Sequence, residues 1–114
     1  MAFVKRKAGP VDLRVMLSQP SADGQWEAEE MTLKVKILTQ SRLRELIELS
    51  SNGELNDEQI AMEAIAGWSD YVDEDGKPVA FTKGNLSELL DLPMIPTQIT
   101  KQLVEFYTEG ASKN

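Results

Sequence analysis

The sequence predicts an α+β domain: an N-terminal antiparallel β-hairpin packed against about four short helices, with a mainly helical C-terminal part. Three observations carry that expectation. Apolar residues alternate in two stretches, at Val11, Leu13, Val15 and Leu17 and again at Met31, Leu33, Val35 and Ile37, which is the period of half-buried strands. After Thr39 the spacing changes to three and four residues, the period of a helix. A lone hairpin is not stable in water, so the helices must cover its apolar side.

Each element has its own local signal. Residues 1–10 hold the cations Lys5, Arg6 and Lys7 and end at Gly9 and Pro10, so they read as a flexible basic arm outside the fold. The first strand starts at Val11. Residues 18–25 are dense in Ser, Pro, Asp, Gly and Gln and reverse the chain. The second strand is expected around residues 31–37, with Trp26 as an earlier start. Thr39 or Ser41 caps a first helix bearing Leu43, Leu46 and Ile47, which stops at Asn52 and Gly53. Asn56, followed by Asp57 and Glu58, starts a second helix. Its stripe of Ile60, Ala61, Ala64 and Ile65 is expected to run to about Ala66 and to continue to Trp68.

Beyond Trp68, a short aromatic and β-branched run, the turn at Asp73 to Gly76 and the extended run from Pro78 to Phe81 fit a small hairpin or an extended loop. Thr82 and Asn85 are both possible caps for a third helix holding Leu86, Leu89 and Leu90. Pro93 and Pro96 separate it from a fourth. That last helix aligns Ile95, Ile99, Leu103, Phe106 and Tyr107 on one face and stops before Gly110. A single compact domain over residues 11–110, with a frayed tail at residues 111–114, is the organisation expected of 114 residues.

Composition narrows the chemistry. At 41% apolar and 27% charged the chain has the make-up of an ordinary globular domain. It contains neither cysteine nor histidine, which removes thiolate and imidazole metal ligands, the cysteine nucleophile and the commonest general base together. No catalytic residues, metal site or cofactor site are expected. The net charge of −7 argues against nucleic acid as a partner, because phosphate neutralisation supplies most of that affinity. No stretch approaches the length of a membrane span, and the basic N-terminal residues lack the apolar run of a secretory signal. The expected place is the cytoplasm.

The acids are unevenly spread. Between Arg44 and Lys77 the chain carries ten carboxylates and no cation, which suits either a solvated face or a surface that attracts a basic partner. Acids crowd around Gly76 as they do in calcium loops, but Tyr71 and Thr82 stand where that loop needs ligands. A solvent-exposed turn explains the same residues. Trp68 is expected to anchor the core as the continuation of the second helix, and Phe106 to join it, while Tyr107 sits one position off, where it can reach a rim.

The order of these features resembles a known family. An extended apolar segment enters a Ser/Thr-started helix; then follow the run from Gly67 and Trp68 through Tyr71 and Asp73 to Gly76, Pro78 to Phe81, Asn85-Leu86, Leu89-Leu90-Asp91 and Pro93; and the last helix ends in Gly110-Ala111-Ser112-Lys113-Asn114. From about Met31 onward this is similar to the tail assembly chaperones of long-tailed, lambda-like bacteriophages. The resemblance implies a mainly helical, self-associating, non-enzymatic protein of a phage or prophage. It would coat the tape-measure protein in the bacterial host cytoplasm, help recruit tail-tube subunits, and be absent from the mature virion. A client of that kind needs apolar binding surface, for which Met94, Ile95, Ile99, Leu103 and Tyr107 are the candidates. The same stripe is equally what a helix turns toward its own core. A virion structural subunit of the tail tube or head-tail joint, and an acidic inhibitor that mimics DNA, are the alternatives.

Overall fold

The computed structural model describes residues 1–7 and 9–109. The helix stop at Gly110 and the frayed tail at residues 111–114 lie outside the described residues. Residues 1–7, 9 and 10 form neither helix nor strand, and their side chains are exposed.

Alternation builds the hairpin as expected, and it is longer than the apolar pattern alone suggests. Strand β1 (Val11–Pro20) pairs antiparallel with β2 (Trp26–Val35), with Val15 opposite Met31 and Pro20 opposite Trp26. The turn is held by its own polar atoms: the Ser21 amide donates to the Gln25 carbonyl at 2.7 Å, the Asp23 carboxylate accepts from the Gln25 amide at 3.1 Å, and Gly24 takes φ 83°. Only glycine adopts that φ without cost. Strand β2 ends at Val35, two residues short of expectation, because the Lys36 amide turns to the Ala64 carbonyl (2.9 Å), and Ile37 is left exposed.

The cap signals are realised. Thr39 caps α1 (Gln40–Ser51), with the Arg42 amide donating to its hydroxyl at 3.1 Å, and the helix ends at Asn52 and a left-handed Gly53. Asn56 caps α2 (Asp57–Ala64) in a reciprocal box with Gln59, at 2.8 and 2.9 Å. Of the two candidate caps for α3 (Lys83–Leu90), Thr82 is the one used; Asn85 sits a turn inside and donates to the Ala80 carbonyl. Helix α4 (Ile95–Glu109) carries Pro96 in its first turn, where a missing amide hydrogen costs no helical bond.

One expectation fails. The second helix does not run to Ala66 and on to Trp68. It stops at Ala64, and Ile65–Ser69 becomes β3, antiparallel to β2 with Leu33 opposite Trp68, completing a sheet of order β1-β2-β3. A short, mostly apolar run satisfies helical and strand periods alike. The unpaired side of β2 decides the matter by supplying a hydrogen-bonding ladder. Gly67 helps, since the Lys34 stem lies across it and a Cβ there would stand 3.3 Å from Lys34 Cδ. Asp70 then leaves the strand at φ 62°.

The sheet presents two chemically distinct faces. Val15, Leu17, Met31, Leu33, Val35, Ile65 and Trp68 are buried against α2, α3 and α4 in one cluster. The other face is polar and includes an Asp12–Lys34 ion pair at 3.0 Å and an Arg14–Glu30 pair at 3.2 Å. Ala61 and Ala64, both fully buried, let α4 lie close to α2.

Two glutamines one turn apart on α4 cover the outer edge of β1. Gln98 accepts from the Ser18 amide (2.8 Å) and donates to the Ser18 carbonyl (3.0 Å); Gln102 does the same for Met16, at 2.9 and 2.8 Å. Each side-chain amide stands in for a residue of a neighbouring strand, which blunts an edge that would otherwise recruit other chains. The double variant Gln98→Ala/Gln102→Ala should lose about 2 kcal/mol, near 1 kcal/mol for each glutamine given that the freed groups regain some water. Its Met16 and Ser18 amides should exchange with solvent faster than those of Val15 and Leu17. Unchanged exchange at those two amides would show the edge to be covered by something else.

Candidate functional site

The five residues expected to offer partner-binding surface divide sharply. Ile95, Ile99 and Leu103 are 2%, 0% and 1% exposed and belong to the core cluster, so the expectation of an α4 binding stripe is corrected for these three. Their periodicity is real, but the sheet and α2 lie against that side of the helix and consume it. Met94 is 58% exposed, at φ 64° in the bend between α3 and α4. Tyr107 is half-buried and donates its hydroxyl to the Lys36 carbonyl at 2.6 Å. Burial, and secondarily the charge of Glu63, push its pKa up to about 12. It therefore stays a neutral donor across the physiological range.

Tyr107 opens onto a groove of about 250 Å³ between α1, α2 and α4. Its walls are aliphatic, formed by Leu38, Leu43, Ile47, Ile60 and Val104, with the hydroxyls of Ser50, Ser51 and Thr100 among them. Ile47 and Val104 are exposed at its mouth, and Ile37 is exposed on the approach to α1. Helix α1 buries only Leu46 completely, and Leu46 stands outside the main core cluster. An ion pair also joins α1 to α2: Arg42 donates from Nε to Glu63 at 2.6 Å, pairs again through Nη2, and also reaches Glu45. Those hydrogen bonds hold the Glu63 carboxyl below the usual range against the upward push of burial, and they raise Arg42. Val104 escaped sequence reasoning because it lies one position off the α4 stripe.

A second cleft, of about 280 Å³, lies between the distal part of the hairpin, the loop after β3 and the end of α3. Leu17, Met31, Tyr71, Leu89, Leu92 and Ile95 make its apolar floor, and Glu29, Glu30, Asp70, Asp73 and Glu74 stand around it. No cation lines it. Three of these acids come from the ten-carboxylate stretch, while Glu29 and Glu30 come from the hairpin, which sequence separation hid.

The loop at residues 70–76 is a turn that uses its own acids. The Asp73 carboxylate accepts from the Asp75 amide (2.9 Å) and the Lys77 amide (3.0 Å), Gly76 takes φ 78°, and Val72 bridges Pro78. Of the small hairpin or extended loop that the segment fits, the structure forms the hairpin. Among the described residues no group of three or more acids is placed to hold a metal ion, and no helix is long and apolar enough to cross a membrane. Trp68 does anchor the core, but from β3. Its Nε1 donates to the Val79 carbonyl at 2.7 Å, and its ring meets Tyr71 and Phe81 edge to face at centroid distances of 5.1 and 4.8 Å. Phe106 packs partly buried against the same cluster.

The fold thus defines a small α+β domain with an aliphatic groove on one side and an acid-rimmed apolar cleft on another. The chain matches no protein-family model, no curated protein and no solved structure.

Proposed function

We propose that this chain is a non-enzymatic protein-binding domain that serves as a tail assembly chaperone of a long-tailed phage or prophage. In this reading it holds the tape-measure protein soluble in the host cytoplasm and helps bring tail-tube subunits to it. The observation that supports the reading most directly is the aliphatic groove between α1, α2 and α4, with Ile47 and Val104 exposed at its mouth. A groove of this make-up accepts the apolar side of an amphipathic helix. A long helical client offers many such segments, and subunits bound side by side gain avidity from a shared client. The net charge of −7 keeps the coated complex soluble.

Co-expression with the tape-measure protein encoded beside it tests this. The expected result is a soluble complex holding several copies of the chain. The variant Ile47→Asp/Val104→Asp changes exposed side chains only, so it should keep the parent's thermal midpoint while recovering at least about tenfold less client, as loss of a groove anchor does. A client that stays insoluble while the chain elutes alone would overturn the proposal.

A further inference from the structure

The acid-rimmed cleft has a complementary segment within the same sequence. Residues 1–7 place the apolar Phe3 and Val4 directly before Lys5, Arg6 and Lys7, and all of these side chains are exposed. An apolar stub followed by three cations is what a cleft with an apolar floor and a carboxylate rim recognises. Glu29 and Glu74 pair with no cation among the described residues, whereas Glu30 is shared with Arg14, Asp73 is engaged by its own turn, and Asp70 accepts from the Thr32 hydroxyl at 3.3 Å. Glu29 and Glu74 are therefore the acids left to receive the arm.

The arm is badly placed to fill its own cleft. From Val11 to Leu17, where the cleft begins, is six residues of strand, about 20 Å at 3.3 Å per residue. Phe3 and Lys5 lie eight and six residues before Val11, reaching about 26 and 20 Å only when the chain is fully extended, and the reversal needed to run back along β1 uses up that margin. Lys7, four residues from Val11, falls well short of the rim. Moreover, the edge of β1 along that path is occupied at Met16 and Ser18 by Gln102 and Gln98. A second copy is under no such tether. Exchange of arms between two copies would make both contacts equivalent, as two-fold symmetry requires.

We propose that the chain self-associates by inserting residues 1–7 of one copy into the cleft between the hairpin and the 70–76 loop of another, with Phe3 and Val4 on the floor and Lys5, Arg6 and Lys7 against Glu29 and Glu74. The proposal does not depend on the phage reading, and its test involves no client. Sedimentation velocity on the full chain, from micromolar to about 0.5 mM, should show concentration-dependent association that weakens with added salt. Two charge reversals, Lys5→Glu/Arg6→Glu/Lys7→Glu on the arm and Glu29→Lys/Glu74→Lys on the cleft, should each weaken it at least about tenfold. Phe3→Ala should weaken it without changing any charge. All these positions are exposed, so circular dichroism and the thermal midpoint should match the parent.

An equimolar mixture of the arm-reversed and cleft-reversed chains should associate again, because each arm then meets an oppositely charged cleft. A parent chain that stays monomeric throughout would overturn the proposal. So would an arm reversal that leaves association unchanged, or a mixture that fails to recover it.

Discussion

Ile99→Ala should lower the unfolding free energy by about 3 kcal/mol, within the range of roughly 2–5 kcal/mol for emptying a well-packed aliphatic site. Ile99 is fully buried in the first half of α4 and is one of the largest side chains sealed from solvent. Its neighbours at a turn on either side, Ile95 and Leu103, are equally enclosed. The α2 helix is pinned there by Thr97 and Thr100, which donate to the side chain and the carbonyl of Asp57, so the site has little freedom to collapse into the lost volume. Urea unfolding should show a lower midpoint with an unchanged slope. The exposed Met94→Ala, by contrast, should move stability by no more than about 0.5 kcal/mol. A cost below about 1 kcal/mol for Ile99→Ala would mean that α4 is not docked on the sheet as described. The pair also guards the functional test: a client lost on replacing Ile99 reports unfolding, whereas a client lost on replacing Val104 reports the groove.

Trp68→Ala should be more damaging, at about 4 kcal/mol. Trp68 is 8% exposed, and it is where β3, the loop after it and the segment at residues 78–81 converge. Removing the ring takes away two edge-to-face contacts and the only bond described from β3 to the Val79 carbonyl, and it empties a large volume. Trp68→Phe separates these contributions. It keeps most of the apolar contact but leaves the Val79 carbonyl without its donor, for a cost of about 1–2 kcal/mol. The Val79 amide, which donates to the Tyr71 carbonyl at 2.9 Å, should then exchange faster. Fluorescence gives an independent check, because the chain has two tryptophans and Trp26 is half-exposed. Emission of Trp68→Phe should come from Trp26 alone and lie to the red of the parent. Retention of blue-shifted emission would place Trp26, not Trp68, in the apolar environment.

The acid-rimmed cleft shows how charge reaches across the fold. Along the chain, Glu29 and Glu30 look like a weakening of the strand pattern, and Asp70 to Asp75 like a solvated turn. The register that sets Leu17 opposite Glu29 and the turn that lifts Glu74 bring the two groups to one opening. Likewise, Leu43 and Ile47 are visible as a helical stripe, but only the placement of α1 beside Val104 and Tyr107 turns that stripe into the wall of a groove.

What the sequence by itself determined was everything governed by short-range geometry. The alternation of Val15 with Met16 and of Met31 with Thr32 fixed which side of each hairpin strand is apolar, since successive strand side chains point to opposite faces. The cap at Asn56 was legible, and Thr39 and Thr82 each stood as one of two candidates, because a side-chain oxygen reaches an amide only two or three residues ahead. The α+β class followed from those signals and from the need to cover the hairpin. The tertiary structure alone decided the rest. Residues 65–69 joined the sheet because β2 offered an unpaired edge, a partner lying some thirty residues away in sequence. Ile95, Ile99 and Leu103 became core because the sheet and α2 came to lie on their side of α4. Periodicity states that a helix has an apolar side; which surface meets it depends on contacts between distant segments, and these carry no local signature.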